Sequence, residues 1–143
     1  MKKCFTLMEL VIIIVIIGIL AMIALPQFFR VVERGHAAEG VTLLSYIGNA
    51  QLRFAAEHST TAGVITDLDI TDPSPSLKFF NAPILVAGVD PQNNPGAVVA
   101  TVTRNANQNQ AGNNYVLGIQ ANGIFTCAGG LAGACQLVRP REN

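Results

Sequence analysis

Residues Leu10 to Leu25 contain no polar side chain at all. Counted from Phe5, the apolar run is 21 residues long, with only Thr6 and Glu9 set inside it. At ~1.5 Å per residue, a helix of that length spans about 30 Å, one hydrocarbon core. The segment is therefore of membrane type, and only the remainder of the chain is left to build a water-soluble domain. Lys2 and Lys3 precede the run, and after Glu9 the next charge is Arg30. Positive charge at the amino end predicts that this end stays in the cytoplasm and the rest lies outside. A secretory signal peptide is the rival reading. Against it, the run is long, no small-x-small site follows, and Pro26-Gln27-Phe28-Phe29 is a poor cleavage site. A helical pattern also continues beyond it. The odd feature is Glu9, because a carboxylate inside lipid is costly.

Past Pro26 the pattern changes. Leu43, Ile47, Ala50 and Phe54 recur at helical spacing with Leu44 beside them, while Arg30, Glu33, Arg34, Glu39, Arg53 and Glu57 supply polar positions. This predicts one helix from about Phe5 to about Glu57, apolar all round at first and amphipathic later. Pro26 is expected to bend it, since proline removes a helical hydrogen bond and crowds the preceding turn. Gly18, Gly35, Gly40 and Gly48 are expected to weaken it. The stretch from His58 to Gly63 ends it.

The amphipathic half needs a cover for its apolar stripe. Asp67 to Pro75 reads as loop. Phe79 to Val89 reads as an edge strand interrupted by Pro83. Asp90 to Gly96 is a turn cluster. Ala97 to Arg104 reads as a strand with Val98, Ala100 and Val102 on one face. Asn105 to Asn114 reads as a long hairpin loop. Tyr115 to Ala121 alternates, with Tyr115, Leu117 and Ile119 on one face. Asn122-Gly123 signals a two-residue hairpin before a last strand from Ile124 to Cys127. The expected fold is α+β: a long N-terminal helix packed on a small antiparallel sheet of three or four strands.

Few residues invite chemistry. With nine basic and nine acidic residues, there is no basic field to draw nucleic acid. Cys127 and Cys135 are separated by seven mostly small residues. Outside the membrane, in an oxidising compartment, such a pair is expected to form a disulfide. Metal binding is the rival, but it needs more soft ligands, and His36 and His58 are both distant in sequence. The two histidines also lack a neighbouring nucleophile and read as ordinary helix residues. Asp67, Asp69 and Asp72 form D-x-D-x-x-D, a candidate calcium set. It lacks the glycine and distal glutamate of an EF-hand loop, so a solvated turn is the preferred reading and no metal is assigned. No phosphate-binding loop and no pair of catalytic carboxylates is present. The chain does not read as an enzyme and calls for no cofactor.

Lys2-Lys3-Cys4-Phe5-Thr6-Leu7-Met8-Glu9-Leu10, followed by Ile17-Gly18-Ile19-Leu20-Ala21-Met22-Ile23-Ala24-Leu25-Pro26, resembles the N-terminus of type IV pilins and pseudopilins. The later helix, hairpin sheet and terminal cysteine pair are most like a type IVa pilin. The resemblance implies a pilin fold with residues 1–4 as leader peptide, 5–26 as transmembrane and filament-core helix, and 27–143 as the periplasmic or extracellular globular domain. It implies cleavage between Cys4 and Phe5 by a prepilin peptidase and N-methylation of Phe5. Cys4 stands where the family has glycine, and its removal leaves one cysteine pair. It also implies that Glu9 meets the Phe5 ammonium of a neighbouring subunit. The other reading of Glu9 is a surface residue that snorkels to water. The implied function is a structural pilus subunit that polymerises through its N-terminal helix. A type II secretion pseudopilin is the alternative, and a membrane-anchored enzyme or binding domain the remote one. The implied partners are copies of itself, minor pilins, the inner-membrane assembly platform, the peptidase and membrane lipid. The implied location is the bacterial inner membrane before assembly, single-pass with the N-terminus cytoplasmic, and an extracellular filament afterwards.

Overall fold

The computed structural model describes residues 6–105, 114–129 and 135. The chain divides into two compact units, Met1–Glu33 and Arg34–Asn143. A single helix, α1 (Leu7–His58), supplies the described part of the first unit and opens the second. Pro26 lies inside it.

Among the described residues of the first unit, the helix side chains are almost all exposed. Leu7, Met22 and Ile23 are 83%, 79% and 70% exposed, and from Leu10 to Leu25 almost every side chain is open to its surroundings. By length and composition this is a helix able to cross a membrane. Its exposed surface is what water disfavours and lipid does not.

In the second unit α1 has one buried stripe, and the sheet covers it. Ala37, Leu44, Ile47 and Ala50 are buried against Phe80, Val99, Val102, Tyr115, Leu117 and Ile119. The sheet is a four-stranded antiparallel meander in the order β1 (Ile84–Leu85), β2 (Val98–Thr103), β3 (Tyr115–Gln120) and β4 (Phe125–Gly129). The α+β arrangement expected from the sequence is the one observed. β1 is a two-residue edge strand directly after Pro83, consistent with proline's exclusion from a central ladder. Tyr115, Leu117 and Ile119 form the inner face of β3, as their alternation predicted.

Two local expectations are corrected. On β2 the pairing shifts between Val98 and Ala100, because a bulge places one extra residue opposite β3. Val99 and Ala100 are consequently both fully buried. Val98 instead joins Thr101 and Thr126 around Gly118. Gln120 and Ile124 close the β3–β4 hairpin around three residues, Ala121, Asn122 and Gly123, rather than two. The Gly123 N–H donates to the Gln120 carbonyl, and the Gln120 N–H donates to the Ile124 carbonyl. Asn122 does not take the positive φ a two-residue type I′ turn demands; Gly123 alone does, at +83°. This is a type I turn closed by a glycine bulge.

The helix stops where polar groups take over from its ladder. Ser59 adopts φ +58°, the left-handed conformation that closes many helices. Buried Gln51 then pins the outgoing chain. Its side-chain amide donates to the Ala62 carbonyl (2.9 Å) and accepts from the Ala62 N–H (2.8 Å), a side-chain imitation of a strand pair. Thr61 continues the anchoring by donating its hydroxyl to the Val86 carbonyl and accepting from the Val89 N–H.

Candidate functional site: the apolar helix and its charged first turn

Thr6 precedes α1, and its hydroxyl accepts a hydrogen bond from the Glu9 N–H at 3.2 Å. The Leu10 N–H donates to the Thr6 carbonyl at 3.3 Å. Thr6 is thus the N-cap and Glu9 the third residue of the first turn. Thr-x-x-Glu is the spacing of a capping box, in which the cap hydroxyl satisfies an amide that the helix itself cannot. A carboxylate in the first turn also faces the positive end of the helix dipole. The one charge of the apolar run therefore sits where a helix best tolerates a negative charge. The sequence reading singled out Glu9 and overlooked Thr6, although the spacing was visible. Cys4 and Phe5 lie outside the described residues.

The remaining predicted residues belong to the second unit. A disulfide joins Cys127 on β4 to Cys135, with Cα atoms 5.4 Å apart. Asp69 is taken by Arg53, which donates from Nε (2.8 Å) and Nη2 (2.7 Å) to its two carboxylate oxygens. Those hydrogen bonds hold the exposed Asp69 carboxyl below its ordinary range. Asp72 caps the turn at Ser74, accepting from its N–H at 2.9 Å, and its hydrogen bonds with Ser74 lower it likewise. Asp67 sits in the 3-10 turn Ile65–Asp67. Among the described residues, no three His, Cys, Asp or Glu side chains gather into a metal-binding group.

The histidines serve packing. His58 stacks on Phe54 at 4.1 Å, and its Nδ1 lies 3.1 Å from the Phe54 carbonyl, closing the last turn of α1. His36 stacks on Phe79 at 3.8 Å and accepts from Arg104 Nη2 at 3.1 Å. Arg104, only 1% exposed, also donates from Nη1 to the Phe79 carbonyl and lies over the Phe79 and Phe80 rings. Nothing in the sequence marked Arg104, which reads as the polar end of a strand.

A helix able by length and composition to cross a membrane, with one carboxylate in its capped first turn, is thus followed by a helix-on-sheet unit of α+β class. No protein-family model matches the chain, and no solved structure matches it. Curated relatives do. The type IV major fimbrial protein FimA of Dichelobacter nodosus is 51% identical over 43 residues, 30% of this chain and 27% of that protein. A fimbrial protein of Neisseria meningitidis serogroup A is 36% identical over 76 residues, 49% of this chain and 45% of that one. The matched stretch thus spans less than half the length of either relative. The resemblance to type IV pilins read from the N-terminus agrees with the names of these relatives.

Proposed function

We propose that the chain is a structural subunit of a type IV pilus, not an enzyme. The observation that carries this reading is the apolar helix of the first unit. From Leu10 to Leu25 its described side chains are almost all exposed, with a single carboxylate in its first turn. The names of the relatives, fimbrial rather than secretory, favour a pilus over a secretion pseudopilus.

In this reading the leader is cut between Cys4 and Phe5 by the prepilin peptidase, and Phe5 is methylated. Phe5 to about Pro26 anchors the monomer in the inner membrane, N-terminus inward, with residues from Gln27 outside. Pro26 bends the helix where the anchor meets the outer domain. Minor pilins and the inner-membrane assembly platform then help move the helix from lipid into a bundle of its own copies. That transfer gains little hydrophobic energy, because both environments are apolar. Glu9 supplies the bias. In lipid its carboxylate lacks a countercharge, whereas in the fibre it meets the Phe5 ammonium of the next subunit. Head-to-tail contacts that do not close into a ring propagate as a filament outside the cell.

The test compares membrane-fraction and sheared-filament amounts for the wild type, Glu9→Ala and Glu9→Gln. Glu9→Ala is expected to insert and accumulate in the membrane but assemble poorly, with Glu9→Gln intermediate at best. The mass of wild-type filament subunits should lack residues 1–4 and carry one methyl group. Normal filaments from Glu9→Ala would sink the assembly role of the charge.

A further inference from the structure

We propose that Asn122-Gly123, at the tip of the β3–β4 hairpin, is a self-modification site at which Asn122 is converted through a cyclic imide to aspartate or isoaspartate. This does not depend on the pilus reading. Asn122 is the only asparagine in the chain that precedes a glycine. Both residues are exposed. The Asn122 side-chain oxygen accepts the Ile124 N–H at 3.0 Å. That bond folds the side chain back over the Gly123 peptide and draws electron density from its amide carbon. Gly123 has no Cβ, and nothing lies within 4 Å of where one would stand, so attacking nitrogen and incoming water both have room.

The chemistry needs only water. The Gly123 backbone nitrogen, its proton passed to solvent, attacks Cγ of Asn122. A new C–N bond closes the five-membered imide, the Cγ–Nδ2 bond breaks, and Nδ2 leaves as ammonia. Water then opens the ring. Cleavage at Cγ yields aspartate, and cleavage at the main-chain carbonyl yields isoaspartate with the chain rerouted through Cγ. No electrons are exchanged. Two interactions resist, since the Gly123 N–H is donated to the Gln120 carbonyl at 2.9 Å and the Asn122 N–H to the Pro95 carbonyl at 2.8 Å. Both bonds lie at an exposed hairpin tip, where water replaces them when they open. Either product adds a negative charge to a chain of formal net charge zero. Aspartate retains an oxygen for the Ile124 N–H. Isoaspartate lengthens the backbone by one methylene and breaks the register of the three-residue turn.

The experiment ages the full-length chain in detergent at neutral and mildly alkaline pH. Peptides are then mapped by mass and by enzymatic methylation of isoaspartate. The Asn122 peptide is expected to convert about tenfold faster than those carrying Asn49, Asn81 or Asn93, about 1.4 kcal/mol in barrier. Its rate is expected to climb with pH as the attacking nitrogen loses its proton more readily. Gly123→Ala is expected to slow conversion in the denatured chain too, which separates the chemistry from any loss of fold. Conversion in the denatured chain with none in the folded chain would overturn the proposal, because the Gly123 to Gln120 bond would then be protective.

Discussion

Arg104 directly follows β2 with its guanidinium enclosed, donating to the Phe79 carbonyl and to His36, over two aromatic rings. A buried cation is costly unless each donor finds a partner and the charge is spread over polarisable surface. Arginine suits the place because its planar fork reaches two acceptors at once while its face stacks. Arg104→Leu is expected to destabilise the second unit by about 2 kcal/mol, the scale of lost charge-assisted hydrogen bonds. The Phe79 carbonyl still accepts from the Asn105 N–H, which limits the damage. Arg104→Lys is expected to recover less than half, as a point charge cannot serve both acceptors. Denaturant unfolding of the full-length chain in detergent, followed by near-UV circular dichroism, measures both. Wild-type stability in Arg104→Leu would show that the enclosed guanidinium contributes nothing.

Among the elements, α1 turns on its glycines. Helix propensity alone predicts that replacing a helical glycine with alanine gains about 0.5–1 kcal/mol. The packing divides the glycines into two kinds. A Cβ on Gly35 meets nothing within 4 Å, so Gly35→Ala is expected to show that gain. A Cβ on Gly40 would lie 2.7 Å from the Phe80 ring and 2.8 Å from a Leu117 methyl. The ring cannot yield without moving its backbone, which is bridged to Arg104, and overpacking costs about 1–3 kcal/mol, so Gly40→Ala is expected to be net destabilising. On Gly48 the clash is with the tip of the Ile119 side chain, also at 2.7 Å. That group can rotate, which places Gly48→Ala between the other two. The order Gly35, Gly48, Gly40 in unfolding midpoint is the prediction; equal shifts would mean that the sheet does not press on the helix at these points.

For the whole molecule, the disulfide and the apolar helix act on separate units. Cys127–Cys135 closes a loop of eight residue steps at β4, one of the two outer strands of the sheet. In the chain-entropy account, such a short loop stabilises by about 2–3 kcal/mol. Replacing both cysteines by serine is expected to lower the unfolding midpoint of the second unit while membrane insertion stays normal, because Leu10 to Leu25 is unchanged. Insertion is read by alkaline extraction of membranes, and stability by thermal unfolding in detergent. A double variant that fails to insert would show that the two units are not independent.

The sequence by itself determined the long helix, its apolar first half, the meander and its inner residues Tyr115, Leu117 and Ile119. Those follow from periodicity, which a strand or helix imposes residue by residue with no knowledge of distant partners. The charged first turn was equally legible, since Thr6 and Glu9 are local neighbours. Tertiary structure alone decided the bulge that buries Val99, the enclosure of Arg104 and the pairing of Arg53 with Asp69. It also decided why Gly40 and Gly48 are glycines. Each of these depends on which atoms lie opposite after the helix and sheet have met. The strength of a contact is set by distances between residues far apart in the chain, and no pattern within either segment carries that information.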